Sequence, residues 1–130
     1  MIRQTATTVT GILNIGVPVS DHERALRFYV EVLGFEVRRD ATFGPGLRWV
    51  EVAPPGSDTT IALAPRRDVT TDGVDTGIRL STGDAESAHA ALAASGVGID
   101  DILRMPGVPP MFSFRDPDGN TLYIVEVLTV

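Results

Sequence analysis

The sequence predicts an α+β fold made of two tandem β-α-β-β-β modules, and three observations point to it. Two helix signatures open at Asp21 and Asp84, 63 positions apart (84 − 21), and the glycines that stop them, Gly34 and Gly96, repeat at nearly the same interval. Short alternating runs rich in β-branched residues flank each helix. Near the C-terminus, Asp116-Pro117-Asp118-Gly119-Asn120 stands between two apolar runs as a hairpin turn. There Pro117 presets φ, Asp118 and Asn120 can bond their own backbone, and Gly119 supplies positive φ. A repeat of this period marks an internal duplication.

In the first module Ile12 to Val19 reads as a strand. Ser20-Asp21-His22-Glu23 reads as a capping box with Ser20 as N-cap, opening a helix that carries Ala25, Leu26, Phe28, Tyr29, Val32 and Leu33. Glu36 to Asp40, Leu47 to Ala53 and Thr59 to Ala64 are the strands that follow. In the second module Gly77 to Ser81 is a strand, and Asp84 to Ser95 is a helix with Ala85, Ala88 and Leu92 on one face. Strands near Asp100 to Met105, Met111 to Arg115 and Thr121 to Val127 complete it. The modules span about 10–65 and about 74–128 of one domain covering 1–130.

Composition narrows the function classes. With 130 residues, 43% of them hydrophobic, the chain can build a real core. It has no cysteine, which excludes a disulfide framework, a thiolate metal site and a thiol nucleophile, and makes a cytoplasmic location the expectation. Seventeen acidic against eleven basic residues give a net charge of −6, and the basic ones come in ones and twos, as at Arg38-Arg39 and Arg66-Arg67, so nucleic acid is not an expected partner. The stretch Met1 to Thr8 lacks an apolar leader segment and no apolar run reaches a membrane span, so no membrane partner is expected either.

The pattern Asp21-x-x-x-Ala25-x-x-Phe28-Tyr29-x-x-x-Leu33-Gly34-Phe35, joined to the Asp116 to Asn120 turn in a duplicated module, strongly resembles the vicinal oxygen chelate superfamily of glyoxalases, bleomycin resistance proteins and extradiol dioxygenases. The resemblance runs from about Gly11 to Val127. It implies that each module curls its strands into a half-barrel with the helix on the outer face, and that two modules enclose a cavity, commonly across a homodimer. It also implies inward-pointing places for the ligands of one divalent metal on the first and last strand of each module. In this chain those places fall on Asn14, Ala62, Gly77 and Tyr123. A metal such as zinc needs imidazole nitrogen or carboxylate oxygen at about 2.0–2.2 Å, and this set offers one neutral amide oxygen and one phenol. Slipping the register by one residue brings in only apolar side chains or threonine. Neither a metal nor another cofactor is therefore expected.

Without a Lewis acid the usual chemistry of the superfamily loses its main electrostatic contribution. The expected function is metal-independent binding of a small aromatic or amphiphilic molecule, an antibiotic or a metabolite, by a homodimer. Alternation along Leu47 to Val52 puts Val50 and Val52 against the helix and Trp49 with Glu51 toward the cavity. Tyr123 follows the hairpin on the cavity side and can both stack and hydrogen-bond. Asn14 is a polar anchor, and Ala62, at the fourth strand's implied ligand place, is counted with the binding residues. Met105 and Phe112 bound a proline-rich segment read as a loop at the cavity mouth. The catalytic alternative is a glyoxalase-like lyase, isomerase or dioxygenase with Glu51 or Glu126 as base and Tyr123 as proton donor. His22 and His89 are expected on helix surfaces, and Asp21, Asp84, Asp116 and Asp118 in helix starts and the turn.

Overall fold

Alternation along β1 (Asn14–Val19) buries Val17 and Val19 and leaves Gly16 exposed, as expected for a strand covered on one face. The computed structural model to which β1 belongs describes residues 8–66 and 73–127. Residues 1–7 and Arg67, used above in reading the leader and the charge pattern, lie outside them. After β1 come α1 (His22–Leu26), a π-helical continuation (Arg27–Val32), β2 (Glu36–Thr42), β3 (Arg48–Ala53) and β4 (Thr60–Pro65). The second module repeats the order with β5 (Asp75–Thr82), α2 (Ala85–Ala94), β6 (Leu103–Met105), β7 (Val108–Arg115) and β8 (Thr121–Glu126).

Each module forms one four-stranded sheet, ordered β1-β4-β3-β2 and β5-β8-β7-β6. The pairs β1–β4 and β5–β8 are parallel and the others antiparallel, so each helix serves as a crossover and covers one face of its sheet. Val17, Val50, Val52 and Leu63 of the first sheet and Phe114, Leu122 and Ile124 of the second share one core with Phe28, Tyr29 and Leu92 from the helices. The sheets are open and not closed into barrels, consistent with curled half-barrels. No helix among the described residues is long and apolar enough to cross a membrane.

Three local readings need correction. The N-cap of α1 is Asp21 and not Ser20: its Oδ1 accepts from the amides of Glu23 and Arg24, which puts Glu23 too early to complete a capping box. From Arg27 the helix widens to π geometry, and the consecutive aromatics Phe28 and Tyr29 are both buried. The segment from Met105 to Phe112 is no loop. Met105 pairs with Val108 across a two-residue turn in which Pro106 precedes Gly107 at φ 79°, the arrangement of a type II turn, and β7 already runs from Val108.

The hairpin turn also ties the modules together. Asp116 is buried, and its carboxylate accepts from the amides of Asp118 and Asn120, from Asn120 Nδ2 and from the Tyr29 hydroxyl, each at 2.9 Å. Asn120 Nδ2 donates also to the Pro18 carbonyl at 2.7 Å, and the Ser20 amide donates to Asp118 at 3.1 Å. A motif read only as a turn is the polar joint between the first module's helix and the second module's sheet.

Candidate ligand-binding site

The face of each sheet turned away from its helix carries the candidate chemistry. On β3, Val50 and Val52 point into the core, so Trp49 and Glu51 stand on the other face, both half-buried. Strand register brings neighbours to them: Ala62 pairs with Glu51 and with Gly16, and Thr60 pairs with Asn14. Asn14, Trp49, Glu51 and Ala62 are thus brought together on one sheet face. Trp49 Nε1 donates to Glu51 Oε2 at 2.6 Å, and Thr60 Oγ1 donates to Glu51 Oε1 at 2.6 Å. These two bonds, Thr60's first, favour the ionised carboxylate and hold it below the usual glutamate range.

Tyr123 lies on the corresponding face of the second sheet. Its hydroxyl donates to Asp75 Oδ2 at 2.7 Å, and the Arg79 guanidinium sits 5.2 Å above its ring. That hydrogen bond lowers the acidity of the phenol and lowers the proton affinity of Asp75. Ser113 pairs with Tyr123 and bonds Asp100, which is also ion-paired with Arg115 at 2.9 Å. Met105 is 53% exposed at the β6–β7 turn, apart from Tyr123 in the register. Phe112 lies on the core side, 3% exposed and edge-on to His89 at 5.0 Å, because alternation along β7 sends it there with Phe114. It nevertheless borders a small hollow of about 140 Å³ that Met111, Ser113 and Tyr123 also line. A larger cleft of about 460 Å³ opens between β1, β4 and β5, its lining including Ile15, Thr60, Ile61, Ile78, Arg79 and Leu80.

Sequence reasoning missed Thr60, Asp75 and Arg79. Equating Gly77 with Asn14 ignores a bulge in β5 between Asp75 and Arg79. In the register Asp75 stands by Thr121 as Asn14 stands by Thr60, all at one offset of 61 (75 − 14, 121 − 60, 123 − 62). One carboxylate therefore does stand in the row where the resemblance implied ligands, and the Tyr123 hydroxyl bonds it. Among the described residues no group of three or more His, Cys, Asp or Glu side chains could hold a metal ion, so the donor set does not fit one. His22 and His89 bond the Leu63 and Asp100 carbonyls, and Glu126 caps the α2 N-terminus through the Ala85 amide at 3.0 Å.

Duplicated modules, parallel β1–β4 and β5–β8 pairs and the buried hairpin define a recognisable frame, and residues 11–124 match the sequence profile of the Glyoxalase/Bleomycin resistance protein/Dioxygenase superfamily. The chain belongs to this superfamily. A member of it from Sphaerobacter thermophilus DSM 20745 is 37% identical, with a TM-score of 0.84 over 93% of this chain and 100% of that one. TnmS3, an antibiotic binding protein from Streptomyces sp. CB03234, is 33% identical, with a TM-score of 0.80 over 92% of this chain and 98% of its own. The Bacillus subtilis (strain 168) protein YetH is 26% identical across 97% of this chain and 100% of YetH.

Proposed function

We propose that this superfamily member binds a small planar or amphiphilic molecule of antibiotic or metabolite type on the helix-free sheet faces, without a metal and without transforming it. The observation that carries the reading is the Trp49–Glu51–Thr60 group, a half-buried indole and a threonine hydroxyl each donating at 2.6 Å to one carboxylate, on the face where catalytic relatives would present a ligand to a metal. The likeness to an antibiotic binding protein supports the same class of ligand. Catalysis by an acid–base pair has less support. Tyr123 and Asp75 are pushed away from neutrality in opposite directions, the reverse of what proton transfer near pH 7 needs, and Glu126 is spent on a helix cap. A homodimer is part of the proposal: Phe43, Leu47, Leu103 and Met105 are exposed apolar side chains on the hairpins beside the two open faces, where a second copy would complete each cavity. A lack of cysteine supports a cytoplasmic site of action.

Trp49 is the chain's single tryptophan, so its emission reports on the site directly. A panel of planar aromatic antibiotics should include at least one that quenches it saturably in the micromolar range and is recovered unchanged by mass spectrometry after long incubation. Light scattering on the same samples should give twice the chain mass. Consumption of the bound compound would install the enzymatic reading, and an absence of saturable quenching across the panel would remove the binding one.

A further inference from the structure

We infer that the Trp49–Glu51–Thr60 group selects planar ligands carrying a hydrogen-bond donor, a protonated amine above all, over ligands carrying an anion; the inference rests on the binding role proposed above and names its ligand class.

Hydrogen-bond bookkeeping leads there. An ionised carboxylate only accepts, and an indole N–H only donates. Trp49 Nε1 at 2.6 Å from Glu51 Oε2 has therefore spent its single proton. Thr60 Oγ1 at 2.6 Å from Glu51 Oε1 must spend its hydroxyl proton on the carboxylate as well, which leaves only lone pairs for anything that arrives. The group is held in place from within, since Thr60 is 8% exposed and both bonds are made between neighbouring positions of one sheet. What it offers is uniform: the Thr60 oxygen, the unused lone pairs of Glu51 and the face of an indole whose N–H already leans on a negative charge.

Each of these favours a donor. A cation over an indole ring is attracted by the ring quadrupole, and a protonated amine at the edge finds two acceptors, whereas a carboxylate or sulfonate there meets lone pairs and charge of its own sign. Asn14, paired with Thr60 in the register, can turn either end of its amide and so does not decide the sign. Arg39, the strand partner of Glu51 on β2, is the nearby counter-charge, and its guanidinium lies 5.4 Å over the Phe43 ring. Both hydrogen bonds to the carboxylate come from neutral groups, so neither of them cancels its charge.

The test uses two probes of one ring size, 9-aminoacridine as the planar cation and 9-anthracenecarboxylate as the planar anion, titrated calorimetrically at pH 7 and physiological salt. Wild-type protein should bind the cation at least tenfold more tightly. Glu51→Gln, which replaces an acceptor with a donor at one oxygen, should cut that ratio below threefold, while Trp49→Phe should weaken both probes and keep the ratio. Equal affinities, or tighter binding of the anion, in wild-type protein would overturn the inference with no variant needed, and so would an unchanged ratio in a folded Glu51→Gln protein. Binding of neither probe would overturn the inference, while the small-molecule reading itself falls only if the antibiotic panel also fails to quench Trp49, so the two failures are told apart.

Discussion

Removing one oxygen atom at Tyr29 should measurably loosen the joint between the modules. The Tyr29 ring is fully buried, 5.3 Å from Phe28 in edge contact and 5.9 Å from Phe35, and Tyr29→Phe keeps both contacts. What it deletes is the hydroxyl that donates to Asp116 Oδ2 at 2.9 Å. Burial first, and then the charge of Asp116, hold this phenol in its neutral, proton-donating form. A hydrogen bond to a buried charged acceptor contributes about 1.5–3 kcal/mol, and the three other donors to Asp116 remain, so a loss near ~2 kcal/mol is expected. With an unfolding entropy of roughly 2.1 cal/mol/K per residue, a chain of this length would melt about 7 °C lower. Urea unfolding followed by circular dichroism should show a lower midpoint with an unchanged slope. A change below about 0.5 kcal/mol would refute the claim that this bond couples the modules, because it would place the Asp116 charge in contact with water.

Two further outcomes follow from single contacts. Gly73 has φ 103°, and a Cβ there would lie 2.4 Å from backbone atoms of Gly119, so Gly73→Ala should lower the melting temperature by more than Tyr29→Phe does; a melting temperature within 2 °C of wild type, on a scale of about 4 °C per kcal/mol, would show that the junction yields freely. Because the Thr60 and Trp49 bonds depress the Glu51 pKa in the folded state, their stabilisation is complete above the unfolded glutamate value near ~4.3 and fades as pH falls through the lower folded value. The stability gap between wild-type and Glu51→Gln protein should accordingly be largest at neutral pH and shrink below pH ~4, and a gap that widens in acid would contradict the assigned hydrogen bonds.

How much could be read in advance follows from the range of the forces involved. Helix starts, glycine stops and the Asp-Pro-Asp-Gly-Asn turn are set by neighbours within a few residues, so the two modules, their order and the helix-side valines of β3 were legible, as was the opposite orientation of Trp49 and Glu51. The choice of Asp21 over Ser20 as N-cap was not, because it depends on where the chain leaves β1, and the Ser20 amide meets Asp118 of the other module. Nor was the strand that replaced the proline-rich loop, whose turn is stabilised by pairing with β6.

By itself the sequence determined the α+β class, the duplication, the superfamily motif and the lack of histidine or glutamate at the implied ligand places. Only the tertiary structure decided which residues meet. The β5 bulge put Asp75 under the Tyr123 hydroxyl, the β3–β4 register delivered Thr60 to Glu51, alternation along β7 turned Phe112 into the core, and the fold carried Asp116 across 87 positions to Tyr29. Strand register and module docking are settled by the joint burial of distant side chains, and no local run of sequence contains that information.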